Sequence, residues 1–374
     1  MDFSLLRRAP DVEGPGLVAA DAADRLILDE AADLLAAAPD GTVAVIDDAY
    51  GALALGAVDA GATDVRSHQD LITGERALQR NAEAMGAGAD IRSLPSVADA
   101  VADARVVLVR LPRGLDRLAE VAALIAAHAD ADVTLVAGGR IKHMSVAMND
   151  VLGEFFDRVD VSHARQKSRV LFARRPRARL ADERARSWPQ TRRDGDLGLT
   201  VAAHGGVFAG ARVDVGTRFL LSVLDGARPD AATAVDLACG NGVVGAALAR
   251  SRPGLTVLAT DRSAAAVASA RATAEANGLA DRVLAVQADG LETTPDGTEE
   301  FVVLNPPFHS DAALSTGIAH HLFAEAARAL RSGGELWCVW NSHLRYRRSL
   351  ERIVGPTRQI ARNPKFTVTA SVAR

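Results

Sequence analysis

The sequence predicts two tandem α/β domains, each a mostly parallel, Rossmann-like sheet with helices on both faces. Three observations carry this. Short buried apolar runs alternate with alanine-rich helical stretches through both halves. A strand-like run enters a glycine-bearing turn and then a helix twice, near residue 46 and near residue 237. A chain of 374 residues exceeds one ordinary core, so two domains are the natural division.

In the first half, Val43-Ala44-Val45-Ile46-Asp47-Asp48-Ala49 enters Tyr50-Gly51-Ala52-Leu53-Ala54-Leu55-Gly56. In the second, Ala234-Val235-Asp236-Leu237-Ala238 enters Cys239-Gly240-Asn241-Gly242-Val243-Val244-Gly245. Matching glycines puts Gly51 on Gly240, Gly56 on Gly245 and Asp47 on Asp236. Gly242 then meets Leu53, a side chain where the backbone has to approach a ligand closely. Further on, residues 83–86 resemble 275–278, and the apolar run 106–109 resembles 301–304 as a buried parallel strand. Residues 133–137 correspond to 335–339, and 167–172 to 365–370. After its apolar run the first copy reads Arg110-Leu111-Pro112-Arg113, where the second reads Asn305-Pro306-Pro307-Phe308. The first copy keeps the framework and lacks both chemical features, so scaffolding or substrate capture is its expected role.

Composition sets the boundaries at 1–175 for the first domain, 176–195 for an arginine-rich linker and 196–374 for the second domain. Pro176, Pro189 and Gly195 interrupt the hydrophobic periodicity there. Residues 206–216 read as a β-rich lead-in, and Thr217 as the cap of a helix through Phe219, Leu220, Leu221 and Leu224. Residues 366–372, rich in Thr and Val, read as a late edge strand.

A net charge of -4 argues against indiscriminate nucleic-acid binding, yet the charge is unevenly placed. Residues 165–193 hold eleven basic side chains against Asp182 and Glu183, and 341–374 hold eight against Glu351 alone. Such local fields hold phosphate, and Arg174, Arg175, Arg177 and Arg179 are the candidate contacts. Two cysteines, Cys239 and Cys338, support neither a disulfide framework nor a zinc site. His309, His320, His321 and His343 lack metal-ligand spacing, so no metal is expected. Glu325 reads as a solvated helix residue, and Trp337 and Trp340 as sheet packing or a base platform. With no leader-like start and no long apolar run, a cytoplasmic protein without membrane partners is expected.

Chemistry gathers at four points expected at the carboxyl ends of strands. The turn Gly240-Asn241-Gly242, with Gly245, sits between strand and helix as a nucleotide-type cofactor site requires. Asp236 can orient backbone or water about the cofactor. Asp261, ending the run 255–260, can accept from both ribose hydroxyls, and Asp289, after the run 283–287, from an adenine amino group. The fourth point is the Asn-Pro-Pro-Phe tetrad, for which a nicotinamide dehydrogenase has no use. Its prolines fix φ and remove donors, so carbonyl oxygens stand beside the Asn305 amide. Asn305 Oδ1 and the Pro306 carbonyl can accept from a planar amino group while Phe308 stacks on its ring. An amino-directed methyltransferase is the expected chemistry.

Over nearly its whole length the chain resembles the paired-domain ribosomal RNA guanine-N2 methyltransferases, whose domains are class I methyltransferase folds. The resemblance rests on Asn305-Pro306-Pro307-Phe308-His309, on Asn341-Ser342-His343-Leu344-Arg345-Tyr346 and on Asn363-Pro364-Lys365-Phe366. These look more like the large-subunit (23S) enzyme than its small-subunit relative. The resemblance implies S-adenosylmethionine as cofactor, the exocyclic N2 of guanine as acceptor, and ribosomal RNA or an assembling ribosomal subunit as partner. It implies RNA contacts at His309 and Arg345, cofactor contacts that include Asn241 and Asn305, and a noncatalytic first half that helps seize RNA. A protein glutamine methyltransferase and a noncatalytic RNA-binding or ribosome-assembly protein are the competing readings.

Overall fold

The computed structural model describes residues 1–14, 16–307 and 312–374, with side chains of the helix Ala312–Ala329 described from residue 316 onward. Phe308 and His309 lie outside the described residues. The chain divides into two compact units, Met1–Trp188 and Pro189–Arg374.

The first unit contains β1 (Val43–Ile46), β2 (Val65–His68), β3 (Ile91–Ser93), β4 (Val106–Arg110), β5 (Thr134–Arg140), β6 (Phe156–Val161) and β7 (Ser168–Pro176). They form one sheet in the order β3-β2-β1-β4-β5-β7-β6. The first five are parallel, and β7 runs antiparallel to both β5 and β6. All four residues of β1 are buried, as a parallel strand covered on both faces demands. Their alternation shows the two layers: Ala44 and Ile46 pack with Leu118, Val121 and Phe155, while Val43 and Val45 pack with Leu26, Ile27 and Leu53.

The second unit adds β8 (Gln190–Asp194), β9 (Leu199–Ala203), β10 (Thr233–Leu237), β11 (Thr256–Asp261), β12 (Val283–Gln287), β13 (Glu299–Leu304), β14 (Leu330–Asn341), β15 (Thr357–Arg362) and β16 (Phe366–Val372). Its main sheet, β12-β11-β10-β13-β14-β16-β15, repeats the order of the first, and β8 and β9 form a separate antiparallel hairpin.

Three expectations need correction, besides the β-rich lead-in, whose strand is β9, Leu199–Ala203, with none in 206–216. The stretch 176–195 is not an irregular linker. It holds the helix Ala178–Ala185, whose buried Ala181 joins the Leu118 and Phe155 cluster, and then β8. Ala181 and the partly buried Ala185 dock a helix whose other side chains are mostly charged, so periodicity missed it. Second, β16 is an interior strand, paired with β14 on one side and β15 on the other. The edge belongs to β15, where exposed Arg358 and Arg362 discourage further pairing.

The third correction concerns the glycine matching. Strand pairing sets Ile46 beside Val109 and Leu237 beside Leu304. With 106–109 matched to 301–304, Leu237 corresponds to Ile46, two residues away from the glycine-based match. Gly51 therefore stands at Gly242, Ala49 at Gly240, Ala54 at Gly245 and Val45 at Asp236. Backbone angles agree: Asp47, Ala49 and Gly51 have φ of 56°, 66° and 96°, and Ala238, Gly240 and Gly242 have 56°, 54° and 73°. An alanine holds a left-handed position in the first copy, so counting glycines misplaced the turn.

Candidate active site

β10 feeds the turn that opens the helix Val243–Ser251, with Gly242 as its left-handed N-cap. A Cβ on Gly242 would lie 2.7 Å from Cα of Ala270, in the helix Ala264–Ala276, so helix packing excludes a side chain there. Gly240 differs. A Cβ built on it meets nothing within 4 Å, leaving this flank of the turn open to a ligand. In the first unit Ala49 puts a methyl group at the corresponding place.

Asp236 lies beneath the turn. Its Oδ2 accepts from Gly245 N at 2.8 Å, and burial pushes its pKa up to about 8. It holds the backbone at the start of the helix that follows the glycine turn. In the first unit Asp48 accepts from Leu53 N and Ala54 N instead, at 2.8 and 2.9 Å. A carboxyl with a raised folded pKa stabilises the fold while protonated, and that stability is lost as pH rises from its ordinary 3.8 through about 8. Urea unfolding across this range is expected to show a steeper loss of stability in the wild-type chain than in Asp236→Asn. Asparagine keeps an acceptor for Gly245 and has nothing to ionise, so equal slopes would refute this role.

Asn241 is buried, and its Nδ2 donates to the carbonyls of Gly210 and Arg212 at 2.8 and 2.9 Å. The side chain thus ties the loop after β9 to the turn. Asp261 ends β11 beside the open flank: Oδ2 accepts from Gly240 N and Oδ1 from Ser263 N, both at 3.0 Å. Ala288 N donates to Asp261 O at 3.0 Å, which brings the Asp289 loop alongside. Asp289 Oδ1 faces His321 Nε2 at 3.1 Å, and this hydrogen bond pushes the His321 pKa up. Sequence reasoning did not join these two, which lie 32 residues apart on different elements.

Asn305 follows β13, so its loop leaves the same edge of the sheet. Its Nδ2 donates to Thr217 Oγ1 at 2.9 Å. Thr217 is not the helix cap expected. Asp214 caps the helix Val215–Leu221, accepting from Gly216 N and Thr217 N, and Thr217 is its buried third residue. Asn305 Oδ1 is buried and, among the described residues, has no hydrogen-bond partner, an arrangement that costs about 1–3 kcal/mol when nothing fills it. Pro306 is buried and Pro307 exposed.

The first unit closes the same place. Arg110, at the Asn305 position, pairs with Asp24 and, at 2.9 Å, with Asp21. Asp21 caps the helix Ala22–Ala36 and Asp24 is its third residue, the position Thr217 has in the second unit. Nearby, Arg117 donates to Asp47 at 3.1 and 3.2 Å. Ion pairs stand where the second unit leaves an acceptor unfilled.

Three of the expected RNA contacts have partners of their own. Arg174 bonds Asp160 at 3.0 Å, and Arg177 bonds Asp157 at 2.7 Å and the Gly153 carbonyl at 3.0 Å. Arg175 and Arg179 are exposed, Arg179 reaching Glu183 at 3.5 Å. Arg345 is exposed just beyond β14, on the strand-end side of the sheet that carries Asn305. Trp337 and Trp340 are buried, bonded to Glu335 and Thr369, which makes them sheet packing. Glu325 is not solvated: it accepts from Leu291 N at 3.1 Å and pairs with Arg328 at 3.0 Å. Among the described residues no cluster of three or more His, Cys, Asp or Glu could hold a metal, and no helix is long and apolar enough to cross a membrane.

Residues 198–370 match the family model described as Methyltransferase small domain, and residues 2–177 match the RLMG N-terminal domain. The Ribosomal RNA large subunit methyltransferase G of Ectopseudomonas mendocina is 35% identical over 97% of this chain and 96% of its own. That of Streptomyces coelicolor is 35% identical over 98% and 97%. The chain belongs to the ribosomal RNA large subunit methyltransferase G family. Among solved structures, the T. thermophilus 16S rRNA N2 methyltransferase RsmC, in complex with AdoMet and guanosine, is similar with a TM-score of 0.72. It is 23% identical and covers 97% of both chains, a likeness of fold.

Proposed function

We propose that this chain transfers a methyl group from S-adenosylmethionine to the exocyclic N2 amino group of a guanine in large-subunit ribosomal RNA. The second unit is the catalytic class I methyltransferase domain. The first is a noncatalytic domain of the same Rossmann-like plan that helps hold the RNA or the assembling ribosomal subunit, in the cytoplasm. One observation carries the reading: the buried Oδ1 of Asn305, without a partner among the described residues, on an amide anchored by Thr217. An acceptor fixed in place and lacking a donor suits an amino group.

The residues fit the cofactor. The open flank of Gly240 admits it, Asp261 stands beside that flank for the ribose, and Asp289 lies next in line for the adenine amino group. S-adenosylmethionine supplies a methyl group activated by its sulfonium. The protein's part is to position. Asn305 Oδ1 and the Pro306 carbonyl accept the two amino hydrogens, drawing the nitrogen lone pair out of conjugation, and Phe308 stacks on the base. The proton lost from nitrogen passes to water. Arg175, Arg179, Arg345 and His309 contact RNA, with Arg174 and Arg177 contributing through their paired positions.

Labelled methyl transfer into separated RNA and protein fractions, followed by nucleoside mapping, tests the assignment. Label on guanine N2 of large-subunit RNA is expected. Label on small-subunit RNA, adenine N6 or protein glutamine would replace the substrate, and no label at all would overturn the activity.

A further inference from the structure

Within the second unit, a cavity of about 300 Å³ is lined in part by Arg192 and Arg193 of β8, Asp194, Asp196, Arg212 and Arg218. Four arginines face two aspartates. Arg218 bonds both acids, Asp194 at 2.5 Å and Asp196 at 3.0 Å. Arg192, Arg193 and Arg212 are exposed, and among the described residues none has an ion-pair partner. Three guanidiniums without an ion pair thus line one concavity. A cleft focuses such a field, and its excess charge is positive.

The cleft is joined to the candidate active site by covalent and hydrogen-bonded links. The Arg212 carbonyl accepts from Asn241, in the cofactor turn. From Arg212 the chain reaches Asp214, the cap of the helix Val215–Leu221, and then Thr217, which holds Asn305. Thr217 stands five positions after Arg212, a reach of at most about 17 Å. A phosphate held in the cleft would therefore belong to nucleotides close to the reacting base.

We propose that this arginine cleft binds the phosphodiester backbone of the unpaired RNA segment adjoining the target guanine. The assignment rests on the methyltransferase reading above and adds a binding site to it. The cleft has room for a phosphate and its sugar and none for a duplex, which suits a strand whose base is already unstacked.

The test is the joint substitution Arg192→Glu, Arg193→Glu and Arg212→Glu in the full chain, with an Arg→Gln triple variant as a milder companion. Binding of a target-site RNA fragment is measured at several salt concentrations, cofactor binding by calorimetry, and methyl transfer to RNA and to free guanosine. Loss of about 10- to 100-fold in RNA affinity is expected, with the salt slope reduced by about two to three, and cofactor affinity and guanosine turnover retained. Unchanged RNA affinity and slope, beside a wild-type chain that methylates RNA, overturns the cleft assignment alone. Loss of cofactor affinity with RNA affinity intact assigns the arginines to the cofactor and overturns it too. A wild-type chain that labels no RNA overturns both this proposal and the reading beneath it.

Discussion

Replacing Asn305 by alanine is expected to lower kcat for RNA methylation by about 10²- to 10³-fold, the range for removing one positioned polar group from a reacting centre. Cofactor affinity, measured by calorimetry, should stay within a few-fold of wild type, because Gly240 and Asp261 are untouched. The argument is local. Thr217 Oγ1 fixes Nδ2, which leaves Oδ1 buried without a donor among the described residues. The amide rotamer is therefore set before substrate arrives. Thr217→Val, which removes the anchor and keeps the shape, should show a smaller fall in the same direction. Unchanged kcat in Asn305→Ala, or cofactor affinity lost in step with kcat, would end this assignment.

What the sequence revealed and what it hid follow from the range of the interactions. The central strands, such as β1, β4, β10 and β13, and the acids at or just after the ends of β11 and β12 were legible, because each rests on a run of neighbouring residues. Asn305 stood out for the same reason, flagged by two adjacent prolines. The partners that give these residues meaning were not legible. Thr217 lies 88 positions from Asn305, and His321 lies 32 from Asp289. The first unit shows the cost of local matching most clearly. Its lost chemistry was read at Leu53 and at Arg110 to Arg113; the structure moves the first of these to Val45, Ala49 and Ala54, and adds to the second the pairing of Arg110 with Asp21 and Asp24. A pair 89 residues apart leaves no trace in periodicity.

The two glycines of the cofactor turn should respond in opposite ways, and this separates binding from folding. Gly242→Ala places a methyl group 2.7 Å from Cα and Cβ of Ala270 and forces an L-residue to hold φ of 73°. Overpacking costs about 1–3 kcal/mol and the left-handed backbone about 1–2 kcal/mol. Together they approach the whole stability of a modest domain, so the variant is expected to melt far below wild type or to be insoluble. Gly240→Ala meets no protein atom within 4 Å, and Ala49 already holds the same conformation in the first unit. That variant should fold, at a backbone cost of about 1–2 kcal/mol, and lose about 10- to 100-fold in cofactor affinity. The new methyl group would occupy the flank through which the cofactor reaches the turn. If Gly240→Ala binds the cofactor as wild type does, the cofactor does not approach there. The converse substitution is also informative. Ala49→Gly in the first unit should create no cofactor site, because the ion pairs of Arg110 and Arg117 would still fill the ground beside it.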